Sequence, residues 1–334
     1  MDILTHTLVG VVLARAVFAR GEKGALAMTI LASNLPDADG YGYFTSGVAY
    51  IQQYGGYGHA LILAPLLALA AMLVVKFAMR ARITLRGYAV CLAAVVIHIL
   101  LDWTGVHGVR MFLPFSAHFY RLDLSDGVDP LILLVLLGAL GAPLAIALFT
   151  SHLSSRTVAG PVRLWAWMGL LALLPYEGGR WMAHAHVREL LAAEIYKDQS
   201  PDHVRAFPLT LFEWRGLVEG DDFICEARVD IRFAYNPRTC EFEYPSRSSR
   251  AMEAADATPA FEAFEDFSEH PFWIVSPVDD DLKVELIDLR FGSPLRPGLE
   301  AVALVDRDGK VRNSGVGFGK RRWNISKSGL RFEF

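Results

Sequence analysis

Histidine and aspartate side chains recur at the ends of apolar segments in the first part of the chain. His98 and Asp102 are four residues apart, so a helix would place both on one face. An ionisable side chain beside an apolar run is energetically costly and usually marks a functional site. Imidazole suits zinc and similar transition metals, and mixed His/Asp sets are typical of hydrolytic metal sites. The candidate metal ligands are His6, Asp37, Asp39, His59, His98, Asp102 and Asp129.

Each of these residues also has an ordinary explanation. His98 and Asp102 could be a hydrogen-bonded pair that joins two membrane helices, or a proton relay. Asp37 and Asp39 follow a proline, where aspartate commonly stabilises a turn or a helix cap. What favours a metal site is that both residue types converge from several segment ends.

A metal in such a pocket would support hydrolysis. A divalent cation, zinc in the first place and manganese or iron as alternatives, would activate water near neutral pH. The catalytic roles are assigned to Asp39 and Asp102, since a carboxylate that does not bind the metal can act as a general base. Arg110, Arg121 and His107 are candidates for binding an anionic substrate group such as phosphate. The two arginines could instead extend to lipid head groups.

The composition points to a membrane protein. Hydrophobic residues make up 53% of the 334 residues, and the mean hydropathy is +0.31, which is too apolar for an ordinary soluble protein. The apolar residues are concentrated in residues 1–178, whereas residues 179–334 are acidic and richer in charge. Neither part has a basic surface interleaved with aromatic residues, so nucleic acid is not an expected partner.

Six apolar segments are candidates for entering or crossing a bilayer. A straight span needs about 20 residues, and only the third and fifth segments approach that length. The second segment is too short, so the turn after it, which carries Asp37 and Asp39, would lie in a recessed, wet pocket. The segments are residues 3–18, 25–35, 59–77, 88–103, 130–149 and 162–174.

Basic residues indicate the orientation of these segments, because they favour the cytoplasmic side. They fall in alternate loops, which places the seven candidate ligands together on the opposite face. The pattern therefore predicts a multi-pass protein of the bacterial inner membrane with a periplasmic C-terminal domain. The basic loop residues are Arg15, Arg20, Lys23, Lys76, Arg80, Arg82, Arg86, Arg156 and Arg163.

The C-terminal region has the pattern of a smaller domain. Apolar side chains have helical spacing in residues 180–197, and residues 223–235 alternate strictly between apolar and polar. Residues 246–270, rich in small and acidic side chains, are expected to form a mobile connection. Further strands are predicted at residues 242–244, 282–291, 301–305 and 311–318.

Two domains follow from these patterns. The predicted fold class is an α-helical integral membrane domain of about six membrane segments, residues 1–178, followed by a smaller α+β, mainly antiparallel β, soluble domain, residues 179–334. Cys225 and Cys240 flank a hairpin in the second domain. They could form a disulfide in an oxidising compartment or remain reduced on neighbouring strands.

Six short motifs occur in order within residues 1–150: LTHTLVG (4–10), LPDAD (35–39), GYGHA (56–60), HILLDWT (98–104), GVRMFLPFS (108–116) and DP (129–130). Together they resemble the membrane-bound metal-dependent hydrolases typified by the bacterial inner-membrane protein YdjM. The resemblance implies that all seven candidate ligands belong to one metal site. FPLTLFEWRGLVE (207–219) is similar to C-terminal extensions of some members.

The chain departs from the family pattern at two places. Members commonly carry HRGxTH before the third segment, whereas residues 54–59 are YGGYGH here and lack the first histidine and the arginine. Position 107 is histidine where an aromatic residue such as tyrosine is expected.

The expected function is metal-dependent hydrolysis of a lipid or envelope-derived ester or phosphoester at the outer membrane–water boundary. Membrane lipids are the expected partners, and the C-terminal domain would cap the site, present substrate or bind a partner protein. The alternatives are a non-enzymatic metal-binding or transport protein and an envelope scaffold that uses the same polar residues. Transport needs a polar path across the membrane, and the nearly wholly apolar third, fifth and sixth segments favour the enzyme.

Overall fold

The computed structural model describes residues 1–18, 22–150, 159–318, 323–326 and 329–332. Two of the basic loop residues, Arg20 and Arg156, lie outside these residues. The chain divides into two compact units. The first comprises Met1–Asp39, Gly55–Val187 and Ala206–Trp214, and the second comprises Gly40–Tyr54, Arg188–Arg205 and Arg215–Phe334.

Helices dominate the N-terminal region. Their bounds are α1 Ile3–Val17, α2 Ala25–Asn34, α3 Gly47–Gln53, α4 Ala64–Met79, α5 Leu85–Thr104, α6 Pro130–Thr150 and α7 Ala159–Ala192. Tight 3-10 turns at Leu35–Phe44, Tyr57–His59 and Leu61–Leu63 connect α2, α3 and α4. These turns carry three of the candidate ligands.

Two stretches among the described helices are long and apolar enough to cross a membrane, Leu61–Met79 and Leu85–Thr104. Ile3–Val17 and Pro130–Ile146 are apolar but shorter. The helical N-terminal region with candidate membrane helices is therefore confirmed, and the count of six membrane segments stays a prediction.

Short side chains let α1 approach α2 closely. Val9 and Val12 of α1 and Ala32 of α2 are fully buried. Gly10 of α1 lies against α2, and a Cβ at this position would come within 2.9 Å of the Thr29 carbonyl oxygen. This close packing fixes the beginning of α1 beside the end of α2, where the first candidate ligands occur.

Helix α7 is longer than the pattern indicates. The sixth apolar segment and the amphipathic stretch at 180–197 were expected to be separate elements, but one helix runs through Pro175 to Ala192. The predicted domain boundary at residue 178 lies inside this helix.

Within the part of the chain that the structure describes, ten strands follow α7 in three sheets. The first sheet has the order β1-β2-β3-β4, the second has the order β5-β6-β7-β8, and β9 pairs with β10. Their bounds are β1 His203–Pro208, β2 Glu213–Glu219, β3 Ile224–Asp230, β4 Glu241–Glu243, β5 Pro271–Val278, β6 Asp281–Asp288, β7 Leu299–Val305, β8 Val311–Phe318, β9 Trp323–Ser326 and β10 Gly329–Phe332. All pairs in the second sheet are antiparallel, which confirms the antiparallel C-terminal domain.

The expectation of a mobile connection at 246–270 is wrong. This segment forms two helices, α8 Arg250–Asp256 and α9 Pro259–Phe267, because its apolar side chains are spaced for burial. Phe261 and Phe264 of α9 are fully buried. The intervening polar and acidic residues, which suggested a loop, lie on the solvent side.

Of the two states left open for Cys225 and Cys240, the structure has the disulfide, with the two Cα atoms 5.7 Å apart. Cys225 lies in β3, and Cys240 directly precedes β4, its antiparallel partner. Cys91 is free and buried in α5.

Candidate metal centre

Helix ends bring the predicted ligands of the first unit together. His6 lies in the first turns of α1, and Asp37 lies in the 3-10 turn that follows α2. His59 closes the short turn before α4, whereas His98 and Asp102 occupy the last turns of α5. The beginnings of α1 and α4 therefore meet the ends of α2 and α5.

Four residues form a group that could hold a metal ion: Asp37, His59, His98 and Asp102. One ligand atom from each lies within 4.8 Å of the others. His59, His98 and Asp102 are buried, while the Asp37 side chain is 30% exposed. Asp37 is therefore the member of the group that borders solvent.

Asp102 lies at the middle of the group. Its Oδ2 is 3.1 Å from His59 Nε2 and 3.3 Å from His98 Nε2. Its Oδ1 is 3.1 Å from His6 Nε2 and also contacts the amino group of Met1. Three imidazole rings thus direct the same type of nitrogen towards one carboxylate.

Each of the two histidines of the group is oriented by a hydrogen bond at its Nδ1, the ring nitrogen that faces away from Asp102. His98 Nδ1 donates a hydrogen bond to the Ser33 carbonyl oxygen at 2.8 Å, which leaves the lone pair of Nε2 facing the group. His59 Nδ1 is 2.9 Å from Asp39 Oδ2, and this carboxylate also accepts the Gly56 N–H at 2.9 Å. A histidine that binds a metal through one ring nitrogen usually donates a hydrogen bond from the other to a carboxylate or a carbonyl.

The short distance between the two imidazoles indicates where a cation would bind. His59 Nε2 and His98 Nε2 are 3.2 Å apart, and both nitrogens face Asp102. Two lone pairs at this distance repel unless a proton or a cation lies between them. Imidazole nitrogens with carboxylate oxygens are a donor set that zinc and related metals prefer, so these residues fit a divalent cation.

The pKa values of two group members outside the candidate spans are shifted by this arrangement. Burial alone would lower the pKa of His59, but its hydrogen bonds with Asp102 and Asp39 raise it to about 10. Burial would raise the pKa of Asp37, but the interaction with His98 holds it below the usual value. A metal ion would bind His59 only in its form with Nε2 deprotonated, so metal binding at this group is expected to depend on pH.

His6 and Asp39 contact the group without belonging to it. The His6 ring stacks on the His98 ring with centroids 3.7 Å apart, and its Nδ1 is buried without a hydrogen-bond partner. Asp39 acts on the group through its contact with His59 Nδ1. Their assignment as metal ligands stays a prediction.

Asp129 has a different environment from the other predicted ligands. Its Oδ1 accepts the N–H groups of Leu131 and Ile132, which caps α6, and its Oδ2 accepts a hydrogen bond from the Tyr176 hydroxyl at 2.5 Å. It is absent from the group of four. Its assignment as a ligand stays a prediction.

The three predicted substrate-binding residues lie in the loop between α5 and α6. The Arg110 guanidinium lies 4.9 Å from the centre of the Phe119 ring. Arg121 Nε is 2.9 Å from Asp123 Oδ1. His107 is half-buried. Their role in substrate binding stays a prediction.

Arg180 is a buried polar residue that the sequence patterns did not single out. Its guanidinium donates to the carbonyl oxygens of Leu124, Thr210 and Leu211 and stacks on Trp214 at 4.3 Å. The signal for it was present, because the run YEGGR puts charged residues at the end of an apolar segment. Its bonds hold the loop that leads to Asp129.

Two family models match the chain. The model described as YfhP C-terminal alpha/beta plait domain matches residues 250–327, the part that begins with α8 and α9. The model described as YdjM inner membrane protein matches residues 1–187, which contain all the candidate ligands. No curated protein and no solved structure matches the chain. Since more than half of its 334 residues match the second of these models, the chain belongs to the YdjM inner membrane protein family.

Proposed function

We propose that this protein is a membrane-bound metal-dependent hydrolase. One observation carries the proposal: His59 and His98 direct their Nε2 atoms to the Asp102 carboxylate in a buried group. A hydrogen bond at Nδ1 holds each ring in this orientation. A divalent cation bound there, with zinc favoured by the donor set, would supply a hydroxide near neutral pH. The substrate class is an ester or phosphoester of a lipid or envelope component.

The residues of the group have separate roles in this proposal. His59, His98 and Asp102 hold the cation, and Asp39 fixes the ring of His59 through its Nδ1. Asp37 is the group's half-exposed carboxylate, so it can exchange a proton with water and serve as the general base. Asp39 then acts as a positioning residue and Asp102 as a ligand.

The proposed location is the outer side of a bacterial inner membrane. We propose about six membrane segments and a periplasmic C-terminal domain, because the basic loops alternate with those that carry the ligands. The Cys225–Cys240 disulfide supports this orientation, since disulfides persist in oxidising compartments such as the periplasm.

The first test is metal content by elemental analysis of the detergent-purified protein. Wild type is compared with His98→Ala and Asp102→Ala, and His118→Ala is the matched control because His118 is an exposed loop histidine. We expect a metal that copurifies with wild type and the control and is lost from the two site variants. Phospholipids and soluble phosphoesters are then screened for hydrolysis.

Two results would contradict the proposal in different ways. A folded wild-type protein that binds no added zinc, manganese or iron would exclude the metal centre. A protein that binds metal at His98 and Asp102 but cleaves none of these substrates would instead favour the metal-binding or transport alternative.

A further inference from the structure

The loop between α5 and α6 displays apolar side chains on an ordered turn. Val109 and Tyr120 exchange backbone hydrogen bonds at 3.0 and 2.9 Å and close the base of the turn. At its tip the N–H groups of Phe115 and Ser116 donate to the Phe112 carbonyl oxygen. Phe115 is nevertheless 83% exposed, and Phe112 is also exposed. Water is a poor environment for two phenyl rings that are held outward by a hydrogen-bonded backbone.

Backbone contacts tie this turn to the beginning of a candidate membrane span. The Leu61 N–H donates to the Met111 carbonyl oxygen at 3.0 Å, and Leu61 is the first residue of the span Leu61–Met79. Met111 directly precedes Phe112 in the chain. The turn therefore lies level with the first residue of this candidate span.

The same region borders the metal centre. His59 is two residues before Leu61, and the Arg110 N–H donates to the Gly55 carbonyl oxygen at 2.9 Å in the segment that leads to His59. Exposed apolar side chains also flank the ligands on other elements, with Leu4 two residues before His6 and Tyr57 two residues before His59.

We propose that the turn 112–115 inserts into the outer boundary of the bilayer, so that the metal centre receives its substrate from the membrane. The occupant of this apolar surface is lipid, because the surface continues into the exposed side chains of α4, such as Ile62 and Leu66 beside the start of the span. Aromatic side chains are enriched at this depth of a membrane. The substrate is then an amphiphile whose acyl chain remains in lipid while its polar ester group reaches Asp37. This last step rests on the proposed hydrolase function, whereas insertion of the turn does not.

Site-directed spin labelling of the full chain in lipid nanodiscs tests the insertion. Phe115→Cys is compared with Phe233→Cys, a matched control because Phe233 is 69% exposed in the C-terminal part. The native cysteines do not interfere, since Cys91 is buried and the other two form a disulfide. Collisions of the label with oxygen, which concentrates in lipid, are compared with collisions with a water-soluble nickel chelate.

We expect a ratio of oxygen to nickel collisions roughly tenfold higher at position 115 than at position 233, because the chelate is excluded from apolar lipid. Equal ratios at the two positions would overturn the proposal, and so would a label at position 115 that neither reagent reaches. Neither readout needs metal or activity, so failure of the hydrolase proposal would be seen separately. If both proposals hold, the double variant Phe112→Ser, Phe115→Ser keeps its metal and still cleaves a soluble ester. The same variant loses cleavage of a lipid ester presented in vesicles.

Discussion

Gly58 provides the sharpest test of the metal-site geometry. A Cβ at this position would be 2.2 Å from the Pro36 carbonyl oxygen and 3.0 Å from Asp39 Oδ2. Ordinary contacts of a Cβ begin near 3.4 Å, so Gly58→Ala must separate the two turns by about 1 Å. One of those turns carries His59, a proposed metal ligand, and the other carries Asp37, the proposed general base, and metal–ligand distances tolerate only about 0.2 Å.

We therefore expect Gly58→Ala to weaken metal binding by at least about 100-fold, measured by competition with a chelator. Gly40→Ala is the control, because a Cβ at Gly40 meets no atom within 4 Å. Circular dichroism and thermal unfolding show whether each variant folds. Asp39→Ala is a milder variant that removes the carboxylate bonded to His59 Nδ1 and to the Gly56 N–H, and we expect metal affinity to fall by about 10- to 100-fold. A folded Gly58→Ala protein with an affinity within about threefold of wild type would refute this reasoning.

Three further predictions concern residues outside the group of four. Asp129→Ala is expected to keep its metal but to lose about 1–2 kcal/mol of unfolding free energy with the cap of α6, whereas metal loss from a folded variant would establish Asp129 as a ligand. Asp288→Asn is expected to cost about 3 kcal/mol, because the buried Arg290 loses its charged partner at 2.7 Å. Burial would raise the pKa of Asp288, but Arg290 holds it below its usual value. The stability lost in Asp288→Asn should therefore persist at neutral pH and shrink only as the pH falls below about 4. A stability loss that does not vary with pH would contradict the assignment. Reduction, or Cys225→Ser with Cys240→Ser, should lower stability by about 3 kcal/mol for a separation of 15 residues, and an unchanged unfolding midpoint would show that the bond contributes nothing.

The sequence predicted which helix ends meet, because the ligands alternate regularly with the basic loops. His6, His98 and Asp102 lie on helices whose apolar patterns are unambiguous. Up-and-down neighbours with short connections leave few arrangements, so ligands at alternate segment ends must come close. Asp37 and His59 lie in irregular turns, yet their position beside α2 and α4 was sufficient to place them.

Other features could not be read from the sequence because they depend on backbone groups or on tertiary packing. The orientation of His98 depends on the carbonyl oxygen of Ser33, and any residue at position 33 would supply that atom. Asp129 precedes an apolar segment just as a ligand would, but the same position is a helix N-cap, and sequence spacing does not distinguish the two roles. Helix α9 was missed because a short amphipathic helix with alanine and acidic residues has nearly the composition of a loop.

The distribution of ionisable residues bears on the choice between catalysis and transport. Helix α6 carries no ionisable side chain, and α4 carries only Lys76, at the end far from His59. On α5 the charged and imidazole side chains are Arg86 in the first turn and the two ligands in the last turns, and the residues between them are apolar apart from Tyr88 and Cys91. An ion that crossed the membrane beside these helices would meet no polar partner over most of their length, at a cost that transporters avoid with polar residues along the path. A cation held at this end of the three helices would lie next to the partly exposed carboxylate of Asp37 and therefore near water, which is what the proposed hydrolase requires.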